Sequence, residues 1–172
     1  MSRPILADAF DHHVWATVKV IDACLALSDE QLATTVPGTY GSILDTMRHL
    51  VGADASYLHL LSDGRVAEIT EDSMSLAELR PVMDANGPVW ADVVAAAVDP
   101  DRSITRERDD GSTSTAPLGA RLAQVVHHGT DHRSQVCTAL TSLGITPPEI
   151  DVWDMAAAQG RLAETEPTVA AT

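Results

Sequence analysis

LGARLAQVVHHGTDHRSQVCTALTSL, residues 118–143, is the stretch whose reading decides the fold. Leu118, Leu122, Val125, Gly129, His132, Val136 and Leu140 recur at helical spacing and form one stripe, so the segment is expected as a helix of about seven turns ending at Gly144. His132 lies on that core line. His128 stands four residues earlier, about 40° round the helix and about 6 Å along it, so the two imidazoles project together. Gly129 on the same stripe allows a neighbouring helix or a ligand to approach closely. His127 shares the opposite, polar face with Asp131, Ser134 and Thr138 and is expected at the surface.

Working outward, three further segments have the same helical period. The first runs from about Ile5 to Leu27, with Leu6, Phe10, Val14, Val18, Ile21 and Leu25 as its apolar stripe. SDEQL, from Ser28, has the spacing of a capping box, and VPGTYG then breaks the chain. The second helix starts near Ser42 and ends near Leu61, its stripe being Ile43, Met47, Leu50, Val51, Tyr57, Leu58 and Leu61. The third begins at Ser75 with another capping box, and Pro81 and the Gly87–Pro88 pair are expected to kink or split it. Asp110–Gly111 marks a small hairpin before the last long helix, and PPEIDVWDMAAAQGRLAE predicts a short C-terminal helix. The fold class expected is all-α, a four-helix bundle with a hairpin between helices 3 and 4. The long connection after Leu61 admits an order other than simple up-and-down.

Composition narrows the function. The 172 residues carry a formal charge of −14, which repels phosphate backbones and anionic lipid, so neither nucleic acid nor a membrane is an expected partner. Aromatic residues are only 3%, leaving Ala, Val and Leu to fill a helical core. The opening MSRPILADAFDHH lacks the apolar core of a secretory signal, so the expected compartment is cytoplasmic. Cys24 and Cys137 lack CxxC spacing and are expected as core or helix-face residues.

Two inward histidines have two readings on spacing alone: a hydrogen-bonded pair in the core or a cleft, or two ligands of a metal. A metal needs a third ligand from another helix, and His49, beside the stripe of the second helix, is the best placed. His13, next to Phe10 and Val14, can line the same cleft, whereas His12 and His59 are expected to be exposed.

The residues also resemble a known family. GSILDTMRHLVGADASYL is similar to the second-helix signature of the DinB-like superfamily, and His-Gly-Thr-x-His-Arg-x-Gln, within HHGTDHRSQ, is similar to its fourth-helix pattern. The SDEQL turn, the Asp-Gly hairpin and the PPEID segment fit as well, so the likeness covers nearly the whole chain: one domain over residues 1–165 and a flexible tail over 166–172. The resemblance implies helices in up-down-down-up order, a homodimer, and a divalent metal, zinc or nickel, on His49, His128 and His132. It further implies an enzyme transferring a low-molecular-weight thiol cosubstrate to a small electrophilic molecule through a metal-bound thiolate. An alanine-rich, acidic chain is compatible with a high-GC source, in which mycothiol would be that thiol. The alternatives are a metal-activated hydrolase and a non-catalytic, stress-associated metal-binding dimer. Around the metal, Gln135 is expected to orient a ligand or bound water. Arg133 is either the anchor of a carboxylated substrate or one half of a solvated ion pair. Asp54, where many relatives have Glu, either accepts a hydrogen bond from a ligand imidazole or is exposed. Asp131, where relatives often have a further histidine, points outward.

Overall fold

The computed structural model describes residues 3–108, 110–163 and 165. Four long helices carry the fold: α1 (Ala7–Cys24), α3 (Ile43–Leu61), α4 (Leu76–Ala96) and α5 (Leu118–Ser142). Two short ones, α2 (Asp29–Leu32) and α6 (Val152–Ala158), and one hairpin, β1 (Ser103–Glu107) with β2 (Thr113–Pro117), complete it. The expected tail, 166–172, lies outside the described residues.

The ends of the helices follow from their caps. Ser28, Ser42 and Asp151 each accept a backbone N–H three residues on, and Ser75 forms a reciprocal capping box with Glu78, so each start satisfies donors that the first turn leaves free. The hairpin is antiparallel, with Ser103 opposite Pro117, and β2 leads directly into α5.

Each long helix packs on two others, in the cyclic order α1, α4, α3, α5. Arg80 of α4 pairs with Asp22 of α1 at 2.8 Å, while Gly87, further along α4, faces Val14. Residues 62–75 run back along α3. Glu68 accepts from Ser56, Glu71 lies over Gly52, and the carbonyl of Met74 accepts from Arg48.

The core falls into two apolar parts. One gathers Val20, Ile21, Met47, Leu50, Met83 and Leu140; the other gathers Phe10, Leu58, Trp90, Leu122 and Val125. Burying such side chains stabilises the fold by about 1.5–3 kcal/mol each. Between the two parts, at the middle of every long helix, lies a buried polar layer of His13, Thr17, Asp54, Asn86 and Arg133.

That layer corrects the expected stripe of α1. Leu6 and Leu25 are exposed, and the buried line is Phe10, His13, Ala16, Thr17, Val20, Ile21 and Cys24. Polar His13 and Thr17 can face inward because partners on α3 and α5 satisfy them. Of the kink or split expected in α4, the split is corrected, since the helix continues through Pro81 and Pro88. Both prolines are exposed, and so are Ala77 and Asp84, whose carbonyls lose their usual N–H partner. Those carbonyls can be satisfied by water, so α4 need not end.

Candidate metal centre

His49 is presented by α3, and His128 and His132 by successive turns of α5, which packs against it. Nε2 of His128 lies 3.1 Å from Nε2 of His49 and 3.2 Å from Nε2 of His132. One nitrogen from each ring falls within 4.8 Å of the other two. The donor set fits a divalent ion, because metal–nitrogen bonds of about 2.0–2.1 Å at tetrahedral angles space the nitrogens by about 3.3 Å. The three histidines could therefore hold one metal ion.

Hydrogen bonding sets one ring for that role. Gln135 Oε1 accepts from the backbone N–H of Tyr40 at 3.0 Å and lies 3.1 Å from His132 Nδ1, while its Nε2 donates to Asp131. The amide orientation is thereby fixed, His132 carries its proton on Nδ1, and the Nε2 lone pair is free for a cation. Burial, reinforced by the neighbouring His132 and His49, lowers the His128 pKa to about 4. Burial also lowers His49, assisted by His132 and opposed by Glu71. Both rings are then neutral near pH 7, the form in which imidazole binds metal.

Two tyrosines frame the centre. The Tyr40 ring stacks on His49 at 4.1 Å between centroids and meets His132 edge-on, and Tyr57 meets His128 edge-on. From His49 and His128 a cleft of about 470 Å³ opens along α3, past Gly52 and Ser56, to Glu68, Glu71 and Arg106. Sequence reasoning placed Tyr57 only on an apolar stripe and missed Tyr40, Glu71 and Arg106. Tyr40, Glu71 and Arg106 lie outside the long helices, where periodicity carries no signal.

The other expected site residues separate from the histidine cluster. Asp54 is buried, not exposed, and accepts from His13 Nε2 (2.8 Å), Asn86 (2.8 Å) and Trp90 Nε1 (3.0 Å). The imidazole it holds is thus His13, not one of the three clustered rings. His13 is buried in the polar layer and turns its Nδ1 to Arg133 at 3.2 Å, so it does not line the cleft. Arg133 is neither solvated nor free to anchor a substrate. Its guanidinium, buried enough to lower its pKa to about 10, bonds Thr17 and Thr130 as well. Gly129 is explained by the same contact, because a Cβ there would overlap the His13 ring.

His127 is exposed, and Asp131 is reached by Gln135. His59 is exposed, while His12 is partly buried with its Nε2 2.6 Å from the Ile150 carbonyl. Both cysteines are free. Burial pushes the Cys24 thiol up to about 12 and raises that of Cys137, which lines a separate groove with Ile150.

Among the described residues no helix is long and apolar enough to cross a membrane. No curated protein matches the chain. The model of the DinB family matches residues 1–167, nearly the full length, and the chain belongs to that family.

Proposed function

We propose that His49, His128 and His132 hold one divalent ion, zinc or nickel, and that the protein uses it to transfer a low-molecular-weight thiol to a small electrophile. The observation that carries this reading is the convergence of three Nε2 atoms with His132 fixed in its metal-binding tautomer by Gln135. Bound by His49, His128 and His132, such an ion would supply Lewis acidity and would lower the pKa of a thiol or water that it binds. The chain's own residues do the rest. Gln135 orients His132, Tyr40 covers the His49–His132 side, and the cleft beside Tyr57 leaves the other side accessible to a ligand. Thiol chemistry here needs a cosubstrate, because Cys24 lies in the core and Cys137 in another groove.

The family reading includes up-down-down-up order, and the contacts support it. Arg80 meets Asp22 while Gly87 meets Val14, as antiparallel α1 and α4 would. The return of residues 62–75 to Arg48 starts α4 beside the first half of α3, as parallel neighbours would.

The test is metal content of untagged protein purified without added metal, beside His49→Ala and His128→Ala. About one ion per chain, lost in both variants, is the expected result. Folded protein that binds no divalent ion after reconstitution would overturn the reading. Thiol-dependent turnover separates transfer from metal-activated hydrolysis, which needs only water.

A further inference from the structure

The cleft beside the three histidines holds one carboxylate that makes no ion pair among the described residues. Its charged side chains other than histidine are Glu68, Glu71 and Arg106. Arg106 lies 3.8 Å from Glu68, which also accepts from Ser56 at 2.7 Å. Among the described residues, Glu71 has no such ion pair: Arg48, which lines an adjoining hollow with Glu71 and His49, instead donates to the Met74 carbonyl and lies 4.0 Å from Asp45.

Glu71 is nonetheless held in place. It begins the short 3-10 turn Glu71–Ser73, is half-buried, and packs on bare backbone at Gly52. A Cβ on Gly52 would overlap the Glu71 carboxyl carbon and Oε1. Gly52 lies about one helical turn beyond His49, so the carboxylate is seated next to the open side of the centre.

We infer that Glu71 selects the ligand of this centre: a small thiol that carries a cationic group, such as an ammonium, close to its sulfur. This rests on the reading of the three histidines as a metal centre. With sulfur directed to the metal, the ammonium donates a charge-assisted hydrogen bond to Glu71, whereas an anionic group in the same place is repelled by that carboxylate.

The test uses cobalt(II)-loaded protein and three thiols of similar length: cysteamine, 2-mercaptoethanol and 3-mercaptopropionate. Dissociation constants are read from the sulfur-to-cobalt charge-transfer absorbance at pH 7 under anaerobic conditions. The quantity compared is the Kd ratio of 3-mercaptopropionate to cysteamine, in wild type and in Glu71→Gln, so that the thiols' own acidities cancel. 2-Mercaptoethanol serves as the neutral reference that divides attraction from repulsion. Glu71→Gln is expected to lower the ratio roughly three- to tenfold, a modest effect because the carboxylate is partly solvated. Gly52→Ala, which displaces Glu71 without removing its charge, is expected to lower it in the same direction. Asp84→Asn, an exposed control on α4, is expected to leave it unchanged.

An unchanged ratio in Glu71→Gln overturns the inference. So does an equal fall in Asp84→Asn, which would assign the effect to the protein's overall negative charge. Loss of cobalt from Glu71→Gln overturns it too, by making Glu71 a metal ligand. A wild type that binds cobalt and thiols without charge preference removes this inference alone. A wild type that binds no cobalt removes the metal centre with it.

Discussion

Removal of the Asp54 carboxylate should destabilise the fold through charge imbalance as well as lost packing. Asp54 and Arg133 are each only 2% exposed, and His13 stands between them, accepting from Arg133 at Nδ1 and donating to Asp54 from Nε2. Asp54→Ala removes the charge that balances Arg133 and strands donors on His13, Asn86 and Trp90. Breaking a buried ion pair at one end costs about 3–5 kcal/mol, and each stranded donor adds up to about 1–3 kcal/mol before relaxation. The donors share one acceptor and can relax together, so about 3–5 kcal/mol is the expected total. Asp54→Asn keeps the volume and one acceptor oxygen and should cost less. Arg133→Met removes the charge that Asp54 balances, so Asp54→Ala should cost about 1–3 kcal/mol less in that background. Urea unfolding of the four proteins, followed by circular dichroism, gives the cycle if the denaturant slopes agree. Strictly additive single changes, or an Asp54→Ala cost below about 1 kcal/mol, would refute a coupled buried network.

The site makes further predictions. Gln135→Leu removes the acceptor that holds His132 Nδ1–H and should weaken metal binding about 10- to 100-fold in chelator competition, whereas His127→Ala should not. Gly129→Ala should lower stability by about 1–3 kcal/mol in urea unfolding, because its methyl group displaces the His13 ring that Arg133 holds, despite alanine's better helix propensity. The metal-free protein should lose stability as pH falls from about 6.5 towards 4, because unfolded His128 takes up a proton in that range and the folded residue, with its pKa near 4, does not. His128→Gln should flatten that part of a stability–pH profile. An equally steep profile in the variant would show that another group carries the dependence.

Part of this was legible in the sequence because it rests on local rules. The caps at Ser28, Ser42 and Ser75 need only a hydroxyl and a residue three positions on, and the structure starts helices at each. The stripe from Leu118 to Leu140 is buried throughout. The α1 stripe was misread because Thr17 and His13 look polar until Arg133 and Asp54 arrive from other helices, a contact more than forty residues away in either case. Asp54 and Arg133 were misplaced for the same reason: periodicity describes a residue's face, not whether a partner waits there. Pro81 and Pro88 were read as breakers because their exposure, which leaves the freed carbonyls open to water, depends on which side of α4 meets the bundle.

The run from His128 to Gln135 shows how one short pattern serves two neighbours. Successive helical residues turn by about 100°, so the pair 128/132 and the pair 129/133 form adjacent faces offset by a single residue. His128 and His132 face α3 and His49, while Gly129 and Arg133 face α1, where His13 fills the space a larger side chain at 129 would occupy. Thr130 accepts from Arg133 and donates to the Val126 carbonyl, steadying the guanidinium. Gln135, one turn beyond His132, returns to hold its ring. Asp131 is exposed and takes only a long bond from Gln135, so a side chain there points away from the centre. Each remaining position in His-Gly-Thr-x-His-Arg-x-Gln therefore has its own physical requirement. Shifting either pair by one residue would direct an imidazole at α1 or a guanidinium at His49, so the interleaved register fixes both the buried layer and the histidine cluster.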